Sequence, residues 1–275
     1  MITTTRVLDY FSTLVAEDDS LPLTEAALSL AQDAYPDLDL QGALAEIDEL
    51  VVRLQRRMPA DADIKQKVGI LNRFFFRELG FGNNLNDFLD PDNSHLNVVL
   101  KRRRGIPISL AVLYLEMAEQ IGVPVRGVAF PGHFLLRMEL ESERLILDPF
   151  KEGKEMNAAD LRQLLKSIVG QNAELSVDYY NVVPNREILV RLENNLKKRL
   201  IEGEDYGQAI LAAEAIGAFS PDEYRIYLDQ GVLHAKLGHN QQAVAALETY
   251  IAKTPSAKER QQASQLLQQI KSELD

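Results

Sequence analysis

Ile108-Ser109-Leu110-Ala111-Val112-Leu113-Tyr114-Leu115-Glu116-Met117-Ala118-Glu119-Gln120-Ile121 reads as the most apolar helix of the chain, with few polar positions on any face. A helix of that kind belongs in the middle of a core. Pro107 suits its first turn, where the missing N–H would be unpaired anyway, and Gly122 ends it. Three short β-like runs follow: Val125 to Phe130, Phe134 to Leu140 and Arg144 to Leu147. In the middle run Phe134, Leu136, Met138 and Leu140 alternate with Leu135, Arg137 and Glu139, the pattern of a half-buried antiparallel strand. Glu141-Ser142-Glu143 suits a hairpin turn. Helices packed on a small antiparallel sheet make an α+β domain.

Towards the N-terminus the chain reads as helices. Val7, Leu8, Phe11, Leu14 and Val15 share one face, and Leu44, Ile47, Val51 and Leu54 another. Ile64, Val68, Leu71, Phe75 and Leu79 form a third stripe, stopped by Gly80 and Gly82. Asp90-Pro91-Asp92-Asn93-Ser94 is a turn cluster, and His95 beyond it reads as a solvent-facing helical histidine. Lys101-Arg102-Arg103-Arg104 closes an apolar-periodic stretch, where cations suit the helix dipole.

Towards the C-terminus, from about Asn185, the pattern is helical only. Ala209 and Ala243 lie 34 residues apart, as do Pro221 and Pro255, which is the tetratricopeptide period. Tyr227, Gly231, Gly238, Ala243, Leu247, Tyr250 and Pro255 fall near the consensus of the second unit. The first unit departs from it: Lys197 stands where Gly231 does, and Glu204 where Gly238 does. Ala263, Leu266, Leu267 and Ile270 mark a capping helix. The expected division is residues 1–184 for the α+β domain and 185–275 for two repeats and a cap, five helices in all.

Composition narrows the function classes. Of 275 residues 46% are apolar, enough for a packed core, and no apolar run approaches a membrane span. A net charge of −11 argues against general nucleic-acid binding. Cysteine is absent, so thiolate metal sites, disulfides and cysteine nucleophiles are excluded within this chain. Four histidines without ligand spacing predict no metal site, and scattered glycines no phosphate loop or other cofactor site. The expected location is cytoplasmic.

One constellation carries chemistry. Ser109 lies in the first turn of the central helix, His133 opens the middle strand after Pro131-Gly132, and Asp148 closes the third strand before Pro149. A nucleophile at a helix N-terminus with a histidine and a carboxylate on neighbouring strands is an acyl-transfer triad. The competing reading makes Ser109 a capping hydroxyl, His133 a loop-bonding residue and Asp148 a strand-ending turn former.

Gly80-Phe81-Gly82-Asn83-Asn84, Asp90 through Asn97, Arg103-Arg104-Gly105-Ile106-Pro107-Ile108-Ser109-Leu110, Pro131-Gly132-His133-Phe134-Leu135 and Leu147-Asp148-Pro149-Phe150 together resemble the bacterial SirB-type family, as does the segment from Leu23 to Leu38. That family joins a transglutaminase-like domain to tetratricopeptide repeats. The resemblance implies a papain-like α+β domain in which a cysteine on the central helix works with a histidine and an aspartate on the following strands. His133 and Asp148 match the last two. A gapless match places the cysteine at Pro107, two positions before Ser109. The resemblance therefore implies a non-catalytic binding or regulatory protein, a pseudoenzyme whose repeats engage a protein or peptide partner. The alternative is a hydrolase or acyltransferase acting through Ser109, His133 and Asp148. Asn93, Arg103 and Arg104, which belong to the shared motifs, are the pocket candidates.

Overall fold

A computed structural model of the chain describes residues 10–17, 21–140 and 143–272. Val7 and Leu8 of the first expected helix face, and Glu141-Ser142 of the expected hairpin turn, lie outside these residues. The chain separates into two units, Met1–Leu192 and Glu193–Asp275.

The first unit begins with α1 (Leu23–Leu30), α2 (Leu40–Gln55) and α3 (Ile64–Asn72); of the faces read from the sequence, α2 buries Ile47, Val51 and Leu54 and α3 buries Val68 and Leu71. Asp39 and Asp63 cap α2 and α3, accepting the amides of Gly42 and Gln66 at 3.0 and 2.8 Å. The third stripe departs from α-helical spacing after Asn72. Arg73–Glu78 is a π-helical turn, and the Leu79 amide reaches back to Phe74 O at 2.9 Å. Its wider circumference brings Phe74, Phe75 and Phe76, adjacent in sequence, into the core together. Phe75 stacks on Phe81 with centroids 4.3 Å apart and meets Tyr114 edge-on at 5.6 Å.

A two-residue parallel pair, β1 (Gly82–Asn83) and β2 (Arg104–Gly105), brackets α4 (Leu96–Arg102) and leads into the central helix α5 (Pro107–Gln120). Nine of its residues, from Ile108 to Ala118, are buried, as an all-round apolar pattern requires. The sheet runs β3 (Val125–Val128), β4 (Leu135–Glu139), β5 (Arg144–Asp148) and β6 (Lys154–Glu155), antiparallel throughout. Leu136 of β4 pairs with Gly127 on one side and Leu147 on the other.

The middle strand is less half-buried than its alternation suggests. Leu135 is fully buried, because α6 (Ala158–Val169) covers that face. Leu161 and Leu165 of α6 join Val128, Phe130, Leu135, Ile146 and Met156 in one apolar cluster. The sheet thus lies between α6 and α5. Behind it, the buried Tyr114 hydroxyl donates to Asn72 Oδ1 at 2.8 Å, and Asn72 Nδ2 donates to Gly153 O at 3.3 Å. Gly153 has φ +70°, and a Cβ there would meet Asn72 Oδ1 at 2.3 Å, so this turn admits only glycine.

Helices α7 (Asn185–Glu202), α8 (Tyr206–Phe219), α9 (Ile226–Lys236), α10 (Asn240–Lys253) and α11 (Ala257–Ser272) follow, and the division between the units falls inside α7. The ends Glu202 and Lys236, the starts Tyr206 and Asn240, and the ends Phe219 and Lys253 are each 34 residues apart. A Cβ on Gly231 would lie 2.6 Å from Leu247 Cγ, so its absence sets the close approach of α9 and α10. Gly238 has φ +72°, and Glu204, its counterpart one period earlier, has φ +61°. The repeat geometry therefore persists where the glycine does not. Lys197, the counterpart of Gly231, is buried, pairs with Asp229 and donates to Asn194 Oδ1 at 2.7 Å. Among the described residues no helix is long and apolar enough to cross a membrane.

Candidate functional site

The site is built where β5 ends and the turn before β4 comes alongside it. Pro131 and Gly132 form a tight turn closed by the His133 amide on Phe130 O at 3.1 Å. Gly132 has φ +65°, the left-handed value of the third position in a type II turn, a type that readily takes proline second. Ile168 of α6 lies against it, and a Cβ on Gly132 would meet Ile168 Cγ2 at 2.3 Å. The turn aims the His133 ring at Asp148, with Nε2 2.9 Å from Oδ1. The same oxygen accepts the Phe150 amide at 2.9 Å, as a residue capping the turn Pro149–Lys151. Because a carboxylate only accepts, Nε2 carries the proton and the bare nitrogen of the neutral ring is Nδ1. Asp148 is fully buried, its Oδ2 makes no hydrogen bond among the described residues, and the Lys151 ammonium stands 3.9 Å from that oxygen. The Phe150 ring meets His133 edge-on at 5.9 Å and Phe88 at 6.2 Å.

Ser109 is engaged elsewhere. Its Oγ accepts the Ile106 amide at 3.1 Å and donates to Asn93 O at 2.7 Å, with Ile106 O at 3.1 Å. It is fully buried, and a Cβ on Gly105 would come within 2.6 Å of it. No hydrogen bond joins Ser109 to His133 among the described residues. Asn93 is buried too: Nδ2 donates to Asp87 O at 2.7 Å, and Oδ1 accepts Asn84 Nδ2 at 2.9 Å. Ser109 and Asn93 together pin the 84–95 loop to the start of α5. The physical reason is the N-terminus of α5 itself, whose first amides need partners and whose cap residue, Ile106, has no side chain to supply one.

The remaining motif residues divide. Arg103 ends α4 in the left-handed conformation, φ 57°, with its guanidinium 4.7 Å over the Phe81 ring and 3.0 Å from Glu46. Arg104 turns outward, and its Nη1 donates to Gly80 O and Arg103 O. His95 corrects the sequence reading: it precedes α4, is buried, and meets the Tyr35 ring edge-on at 5.2 Å. Burial holds its pKa below the usual histidine value, against the opposing pull of Asp92 and Asp90. Burial, with the hydrogen bond to Asp92, raises the Tyr35 pKa. Arg102 bridges both acids at 2.8 and 2.9 Å. The basic run and the turn cluster therefore close on one another.

One residue with a part in the site escaped the sequence. Arg191, on α7 but within the first unit, donates through Nη2 to Phe130 O at 2.8 Å and His133 O at 2.6 Å, clamping both ends of the turn that presents the histidine. Burial lowers its pKa, with Glu187 opposing. The available sign was an arginine three places after the apolar Ile188 on the same helix face. Chemically, a histidine–carboxylate pair can take up a proton from a neighbouring nucleophile. Clusters of three or more metal-ligating side chains are absent among the described residues.

This central helix, with a histidine in the turn before β4 and an aspartate at the end of β5, coincides with a family match. A model described as Transglutaminase-like superfamily covers residues 41–194, more than half the chain. The chain belongs to that superfamily. A second model, Tetratricopeptide repeat, covers residues 196–270; such repeats generally mediate protein–protein interaction. Within the superfamily the chain groups with SirB-type proteins. It is 35% identical to a UPF0162 protein of Xylella fastidiosa over 87% of this chain and 86% of the relative. It is 26% identical to Protein SirB1 of Salmonella typhimurium over 87% and 89%. F-box only protein 21 of Pongo abelii is 30% identical over 80% of this chain and 40% of that protein.

Proposed function

We propose that this transglutaminase-like protein is a non-catalytic binding or regulatory protein that engages a protein partner through its tetratricopeptide repeats. The observation that carries the reading is the state of Ser109. The chain has no cysteine, and the hydroxyl nearest the superfamily's nucleophile position is fully buried and spent on Ile106 and Asn93. Pro107, two residues earlier, is about 200° away around the helix and has no nucleophilic atom. The His133–Asp148 pair thus stands as the remnant of a triad, kept because it holds the start of β4 to the end of β5.

The test has two arms. A serine-directed fluorophosphonate should leave the wild-type chain unlabelled; labelling at Ser109 that His133→Ala abolishes would overturn the reading in favour of the acyl-transfer alternative. Pro107→Cys should be alkylated faster than Ser109→Cys, because position 107 is partly exposed at a helix N-terminus, where a thiol ionises readily, whereas position 109 is enclosed.

A further inference from the structure

Beside the His133–Asp148 pair, which it meets at Phe150 and Lys151, a groove of about 500 Å³ runs between the Gly80–Asn83 segment and the turn Pro149–Glu152. This size suits a small organic ligand, for which pockets of roughly 300–1,000 Å³ are usual. Its apolar lining is Phe76, Phe81, Leu85 and Phe150, of which Phe76 and Phe81 are buried and Leu85 is exposed. Two cations stand at its rim, Arg104 and Lys151. The lining holds one acid, Glu152, 3.8 Å from Arg77, and Lys151 also stands 3.9 Å from the buried Asp148, so Arg104 is the cation of the groove without a carboxylate partner among the described residues. Arg104 is oriented by its two carbonyl partners, both on Nη1, which leaves Nε and Nη2 without a protein partner among the described residues. Gly82, paired with Arg104 in the β1–β2 ladder, also lines the groove, and a Cβ there would meet nothing within 4 Å.

We propose that this groove binds an amphipathic carboxylate: an acid group held by Arg104 and Lys151, on a short apolar or aromatic body laid over Phe76, Phe81 and Phe150. The guanidinium fork suits a carboxylate because two of its N–H groups can address both oxygens. The apolar lining excludes a bare inorganic anion as the best fit, since it offers such an ion nothing. All the lining residues belong to the first unit, so the proposal does not depend on how the repeats engage a partner. The same chemistry can come from a free organic acid or from the C-terminal residue of a peptide chain.

The experiment titrates the ¹⁵N-labelled full chain with 3-phenylpropionate, with its neutral amide, and with a short acetylated peptide ending in phenylalanine, as free acid and as amide. The expected result is saturable shifts of the amides from Gly80 to Asn83 and from Phe150 to Glu152 with the acids only. Arg104→Gln and Lys151→Gln should each weaken binding about tenfold, the scale of one lost charge-assisted pair. Gly82→Leu, which adds a bulky side chain at a residue lining the groove where a Cβ meets nothing within 4 Å and no positive φ strains it, should abolish binding while leaving the fold intact. Tighter binding of 3-phenylpropionate than of the peptide acid assigns the site to free acids; the reverse assigns it to chain termini. Equal binding of acid and amide, unchanged binding in Gly82→Leu, or no saturable shift with either acid would overturn the proposal.

Discussion

Replacing Ser109 with alanine separates a structural hydroxyl from a catalytic one. The substitution removes the acceptor of the Ile106 amide and the donor to Asn93 O. What remains for the Ile106 N–H is Asn93 O at 3.4 Å, a weak contact. A buried group left unpaired costs about 1–3 kcal/mol, and loss of a capping interaction about 1 kcal/mol. These overlap, because the same hydroxyl serves both, so Ser109→Ala should cost about 2 kcal/mol. At roughly 2–4 °C per kcal/mol for a unit of this size, the melting temperature should fall by about 4–8 °C. Thermal unfolding followed by circular dichroism measures the loss, and hydrogen exchange at the Ile106 and Leu110 amides locates it. A nucleophile poised in a cleft behaves oppositely, since its removal leaves stability unchanged or improved. A variant that melts within about 1 °C of wild type, with unaltered protection at Ile106, would refute the structural assignment of this hydroxyl.

Further expectations concern other parts of the chain. His95 has a folded-state pKa below the unfolded value of about 6.5, so the unfolded chain takes up its proton first as pH falls and stability declines with acidification through that range; urea unfolding at pH 7 and pH 5 should show a steeper loss in wild type than in His95→Gln, and equal losses would show that His95 is not the cause. Gly231→Ala should cost about 1–3 kcal/mol, because its methyl would overlap Leu247, and should raise hydrogen exchange in α9 and α10; wild-type exchange there would show that the helices can separate freely. Arg191→Met removes charge-assisted hydrogen bonds to two carbonyls, a loss of about 1.5–3 kcal/mol, and should shift the ring resonances of His133; an undisturbed His133 spectrum counts against the clamp.

The parts legible in the sequence were those with a period. The all-round apolar helix from Ile108, the alternation in β4 and the 34-residue recurrence each constrain many residues at once, and the corresponding elements stand at those places. Recognition of the shared motifs located His133 and Asp148, which the turn at Gly132 brings to 2.9 Å. Less legible were features made by single long-range contacts. His95 read as exposed because its neighbours in sequence are polar, yet what buries it includes Tyr35, in a different segment. Arg191 acts on carbonyl groups, which every residue carries, so no residue type at the other end marks the pairing. Asn93 is a pocket candidate through the shared motifs, and its side chain is engaged by Asp87 O and Asn84, contacts that residue type alone does not mark.

The π turn at Arg73–Glu78 is, in the language of insertions and deletions, one residue more than an α-helix needs. Deleting a residue there would not break the helix so much as regularise it, turning everything downstream back by about 100°. Phe74, Phe75 and Phe76 would no longer share one side, and Gly82 and Asn83 would be drawn out of register with Arg104 and Gly105. A chain length that is neutral for helix formation is therefore critical for the edge of the groove, and a relative one residue shorter in this segment would need a different wall there.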